Sequence, residues 1–140
     1  MRKKLGLLAA MVALAGCQSI SPKSASTQLE GVWQVKSING NETLATSIVT
    51  MDFTQVINKV VGTTGCNQYS ASIETSGEDV KTGQAIMTKM ACVPNIAQQE
   101  QLFMRSLASV VSFKVISDQH ITFYDQNNEP RLTIKQLKSD

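Results

Sequence analysis

The cysteines and histidines of this chain are few: Cys17, Cys66 and Cys92, and one histidine, His120. Nucleophilic catalysis by a thiol or hydroxyl needs a base beside the nucleophile and a third group to orient that base. His120 follows Asp118-Gln119, with no second histidine and no suitably spaced carboxylate pair, and reads as a surface strand histidine. A structural zinc needs four ligands, which two distant cysteines and one histidine do not supply, so neither a metal nor a cofactor is expected. Gly62 and Gly65 are not followed by GxGxxG or GxxxxGK[ST], which removes a phosphate loop. With no nucleophile elbow, triad or paired carboxylates either, the chain is expected not to be an enzyme.

Cys17 has a different use. A basic start (Arg2, Lys3, Lys4) runs into the uncharged stretch 5–15, and Leu14-Ala15-Gly16-Cys17 resembles the bacterial lipobox. The stretch is about half of the roughly 20 apolar residues that a membrane span needs. Residues 1–16 are therefore expected to be a signal peptide. Cys17 is then the lipidated first residue of the mature chain, and the membrane is a partner through that anchor. Gln18 stands where an Asp would resemble an inner-membrane retention signal, so an outer-membrane anchor with the domain in the periplasm is expected. Removing three of the 13 basic residues and none of the 11 acidic ones leaves a mature net charge of 10 − 11 = −1. That balance gives no footing for a nucleic-acid partner.

Residues 17–28 are Ser-rich and contain Pro22, a composition that buries too little apolar surface to fold. They read as the lipidated cysteine and a flexible tether of roughly 20 Å reach. One folded domain is expected over residues 29–137, with a single core and a monomeric state. Two cysteines remain in an oxidising compartment, which argues for a Cys66–Cys92 disulfide worth about 3–4 kcal/mol in chain entropy. A bridge there brings Thr88 and Lys89 towards Asn67. Asn67, Tyr69, Thr88 and Lys89 are the candidate binding residues, although a purely structural role for Asn67 in its loop is the stronger reading.

The elements that must position these groups are mostly short strands. Gly31 to Ser37 alternates, with Trp33 and Val35 on one face; Ile48 to Phe53, Val56 to Val61, Tyr69 to Glu74, Ala85 to Thr88, Phe113 to Ile116, Ile121 to Tyr124 and Leu132 to Lys135 follow. Asn39-Gly40 and Ser76-Gly77-Glu78-Asp79 are turn signals. Only residues 95–111 have helical spacing, with Ile96, Phe103, Leu107 and Val110 on the apolar stripe and Leu102, Met104 and Val111 beside it. On this reading Gln98, Gln99, Glu100, Arg105 and Ser106 lie largely off the buried face. The expected fold is α+β: a curved antiparallel, half-barrel-like sheet on one main helix near residues 95–111.

Gly65-Cys66-Asn67 with Tyr69, then Thr88-Lys89-Met90-Ala91-Cys92, then Glu100, Phe103 and Leu107, resemble the META domain family across about Leu29 to Lys135. Lys89 stands where the family usually has Arg, which keeps the charge but loses a bidentate fork. The resemblance implies a small half barrel wrapped on a helix, and heat-inducible lipoproteins associated with heat stress, envelope function and novobiocin resistance. No enzymatic activity is implied. The favoured function is a non-enzymatic envelope lipoprotein that binds an envelope protein partner, with inhibition of a periplasmic enzyme as a variant. The alternative is a binder of a small apolar ligand in the concave face. Filling of that face by Trp33, Met51, Phe53 and Tyr124 would disfavour the alternative.

Overall fold

A computed structural model describes residues 28–137; the expected signal peptide, the lipidation site Cys17 and the tether up to residue 27 lie outside the described residues. Nine strands are described: β1 (Val32–Ile38), β2 (Asn41–Glu42), β3 (Thr50–Asp52), β4 (Lys59–Thr63), β5 (Gln68–Ser76), β6 (Asp79–Met87), β7 (Val110–Ser117), β8 (His120–Asp125) and β9 (Pro130–Gln136). A helix, Pro94–Ser109, separates β6 from β7.

All pairings are antiparallel, and β1 is the hub. One of its edges takes β2 at Ser37–Ile38 and β3 at Val32–Gln34, and the other takes β9. The curvature therefore exceeds a half barrel: β1 and β3 to β9 close into an eight-stranded ring, with β2 as a hairpin extension. Closure removes the two free edges that an open sheet would carry. Two joints are thin: β3 meets β4 through Asp52 and Val61, and β6 meets β7 through Asp79 and Ser112.

Alternation explains the core. Trp33 and Val35 point inward from β1, and a register shift between Val35 and Ser37 then turns Ile38 inward. Tyr69, Ala71 and Ile73 fill the same side from β5, Ile121 and Phe123 from β8, and Leu132 and Ile134 from β9. Asn39 and Gly40 both have positive φ, 50° and 79°, as the two-residue β1–β2 turn requires.

Three sequence expectations are corrected. Strand β4 starts at Lys59, leaving Val56 and Ile57 in an exposed loop. Strand β6 starts at Asp79, because residues 79–82 pair with β5 ahead of a register shift, despite lacking clean alternation. The helix ends at Ser109, and its buried residues are Gln99, Glu100, Phe103, Ser106 and Leu107, while Leu102 is exposed. Val111 is also exposed, on β7. Apolar spacing located the stripe to within a turn, but polar groups with partners under the helix are buried in place of apolar ones.

The interior is filled. Trp33, Met51, Phe103, Phe113 and Phe123 are fully buried, and Phe53 is half-buried against them. Trp33 Nε1 donates to the Leu29 carbonyl at 2.8 Å, and Phe103 meets Tyr69 edge-on with centroids 5.1 Å apart. Tyr124 does not contribute: it is only half-buried, with the exposed Lys114 ammonium 5.2 Å from its ring centre.

Candidate functional site

The two cysteine motifs meet at the end of the barrel where β4 turns into β5. Cys66 and Cys92 are bonded, with Cα atoms 6.1 Å apart and a sequence separation of 26. The loop between β4 and β5 can turn there because Gly65 has φ +94°, and a Cβ at that position would run into the Ser47 side chain. Gly65 N–H donates to Thr63 Oγ1 at 3.0 Å, and Thr64 N–H to the Asn67 carbonyl at 2.8 Å.

Asn67 is buried at the centre of this junction, and its amide is fully used. Nδ2 donates to both oxygens of Glu100, at 3.1 and 2.9 Å, and lies 3.5 Å from Cys92 Sγ. Oδ1 accepts from Met90 N–H at 2.7 Å and from Thr88 Oγ1 at 2.9 Å. Glu100 also accepts from the Thr64 hydroxyl. One amide thus ties the β4–β5 loop, the disulfide loop and the helix together. Thr88 adds a second tie, accepting from Gln68 N–H at 3.0 Å. Nearby, Gln99 accepts from Leu44 N–H at 2.7 Å and donates to the Ser47 carbonyl at 3.1 Å. Among the described residues, no buried side-chain nitrogen or oxygen lacks a partner. A cluster satisfied in this way holds structure and has no spare donor or acceptor to offer a ligand.

The structure therefore brings Asn67, Thr88 and Cys92 together as the sequence reading anticipated, but separates their roles. Asn67 is interior. Tyr69 is buried as well, and its hydroxyl donates to the Thr50 carbonyl at 2.9 Å. Burial, with the Asp52 charge as a lesser cause, pushes the Tyr69 phenol far above its ordinary range, so it stays protonated. Thr88 and Lys89 are exposed. Sequence reasoning missed the burial of Glu100; its place in the motif with Phe103 and Leu107, on one helical face, was the available signal.

Around the exposed part of this junction the surface is apolar. Ile86, Met90 and Val93 are 68 %, 63 % and 58 % exposed. Beside them an open cleft of about 350 Å³ is lined by Gln68, Tyr69, Ser70, Ile86, Met87 and Thr88. Strand β6 pairs with β5 along one edge, but its other edge meets β7 only at Asp79, and Gly83 to Ile86 are all exposed. Between Val80 and Ser117 the exposed charges are Lys81, Lys89, Arg105 and Lys114, while the one carboxylate in that span, Glu100, is buried. Lys81 is paired across the ladder with Glu74.

Elsewhere, His120 is half-buried with Nδ1 3.2 Å from Ser117 Oγ. Asp125 closes the β8–β9 turn: Oδ1 accepts from Asn127 and Glu129 N–H at 2.9 and 3.0 Å, and Oδ2 from Arg131 Nη2 at 2.6 Å. Those backbone donors, with the Arg131 guanidinium, hold the Asp125 carboxyl below its ordinary 3.8. Among the described residues no three His, Cys, Asp or Glu side chains converge to hold a metal.

None of the curated proteins compared matches this chain. Two solved structures share its fold. An NMR structure of a protein from Burkholderia xenovorans is 17 % identical with a TM-score of 0.64, covering 92 % of this chain and 100 % of its own. A second NMR structure is 18 % identical with a TM-score of 0.61, covering 81 % and 95 %. At that identity they speak for the architecture alone. The META domain family model matches residues 26–138, a span that takes in the closed sheet, the helix and both halves of the disulfide-pinned junction. The chain belongs to the META domain family.

Proposed function

We propose that this protein is a non-enzymatic, META/HslJ-like envelope lipoprotein, anchored through Cys17 in the outer membrane with its domain in the periplasm. It acts in envelope stress tolerance or novobiocin-type drug resistance by binding a protein partner. The observation that carries this reading is a contrast between inside and outside. Trp33, Met51, Phe103, Phe113 and Phe123 are fully buried inside the barrel, whereas Ile86 near the end of β6, and Met90 and Val93 on the following loop that a disulfide and the Asn67 amide pin, stand exposed. A rigid apolar surface loses little conformational entropy when a partner covers it. The exposed Lys89 stands next to Met90 in this patch, which favours a partner face carrying carboxylates.

The double variant Ile86→Asp, Met90→Asp tests this. Both side chains are solvent-facing, so its melting temperature should stay within about 3 °C of the parent. In cells lacking the natural copy, challenged with heat and novobiocin, it should behave as the empty vector does. Full complementation by the double variant would remove this face from the function. Saturable one-to-one binding of novobiocin to the purified domain would instead promote the small-ligand alternative.

A further inference from the structure

The opposite end of the barrel carries a second exposed apolar feature. The loop between β3 and β4, residues 53–58, displays Val56 at 48 % exposure and Ile57 at 89 %. Neither side chain belongs to the buried core, but the fold fixes the loop that bears them. Lys59 N–H donates to the Val56 carbonyl at 3.3 Å, Ile73 N–H to the Asn58 carbonyl at 3.0 Å, and Asn58 turns the chain with φ 58°. Phe53 N–H donates to the Gly31 carbonyl at 3.1 Å, tying the loop to the segment just before β1. Leu29, Phe53, Val56, Ile57 and Lys59 line one cleft of about 180 Å³. The loop therefore stands where the described chain begins, at the near end of the eleven-residue segment 18–28 that follows Cys17.

We propose that the Val56–Ile57 loop seats in the surface of the bilayer that holds the Cys17 anchor, so that this end of the barrel faces the lipid. The inference rests on lipidation of Cys17. An isolated pair of aliphatic side chains binds a membrane too weakly to hold a protein there. With only eleven residues between Cys17 and Leu29, an anchored Cys17 makes the contact intramolecular, at about millimolar effective concentration. Burying the isoleucine side chain then favours the seated state by about ten- to a hundred-fold. Lys59, exposed at the loop's base, suits lipid phosphates, while Glu30 before β1 and Glu74 near the end of β5 disfavour a strongly anionic surface. A zwitterionic surface is therefore the fitting occupant. Strand β4 runs from this loop to the Thr64–Asn67 loop, so the disulfide junction is held about 17 Å further from the membrane, facing the periplasm.

The test uses the mature chain, residues 17–140, with Cys17 coupled to a maleimide-bearing lipid in phosphatidylcholine vesicles. Supplying the anchor chemically separates this proposal from natural lipidation, whose failure would show instead as no lipid mass on the cell-derived protein. Trp33 is the only tryptophan and is buried, so Ile57→Trp adds a clean reporter. In vesicles with brominated acyl chains, Ile57→Trp should lose at least half of its added emission and shift to the blue. Gln101→Trp, on the exposed side of the helix, should do neither. Equal quenching at positions 57 and 101, or none at 57, overturns the proposal.

Discussion

At the scale of single residues, Asn67 and Glu100 organise the molecule, and they were unequally legible. The position of Asn67 directly after Gly65-Cys66 marks it in the sequence as a loop-shaping residue, and that is its role here. Glu100 reads as a solvent-facing helical position because carboxylates are rarely buried. Its burial follows from two donors, the Thr64 hydroxyl and the Asn67 amide, that lie 36 and 33 residues away in sequence. No local pattern announces partners at that range. Glu100→Ala removes the carboxylate acceptor of the buried Asn67 amide and leaves the Thr64 hydroxyl only the Asn67 carbonyl at 3.1 Å, so it should cost about 2–3 kcal/mol in urea denaturation. Glu100→Gln, which keeps one acceptor, should cost less. Equal stability of Glu100→Ala and the parent would show that the cluster does not hold the junction.

At the scale of elements, the long-range tie is the disulfide, placed between the start of β5 and the start of the helix. The helix begins without a side-chain cap on its first turn: Val93 is extended, and Pro94 fills the first helical position. The Cys92 bridge and the Met90 N–H bond to Asn67 fix that start in place of a cap. Reduction of the bridge reopens a 26-residue loop in the unfolded chain and should lower stability by about 3.5 kcal/mol. Urea titrations with and without reductant would measure it, and a difference below about 1 kcal/mol would mean the unfolded chain gains little freedom. The strands and the helix were legible because alternation and the three-and-four rhythm survive in their apolar residues. The start of β6 was not, because Asp79, Lys81 and Thr82 pair with β5 while their side chains stay outside the core. Val56 and Ile57 misled in the opposite sense, being strand-like residues that the structure leaves in a loop.

At the scale of the whole molecule, ring closure was the least legible feature. The pairing of β1 with β9 joins residues about a hundred positions apart, and nothing in either strand names the other. Closure nonetheless matters for the proposed function, since it converts a concave face into a core. Residues that an open sheet would offer to a ligand, Trp33 and Met51 among them, become interior packing. On the proposed function a protein partner takes the disulfide end, and on the proposed membrane seating lipid takes the Val56–Ile57 end. The most direct measurement is photocrosslinking in living cells, with a diazirine side chain at Met90 and a control at the exposed Val115 of β7. One discrete protein adduct is expected from position 90 and none from position 115. No adduct at position 90, or the same adducts from both positions, would contradict the proposed function.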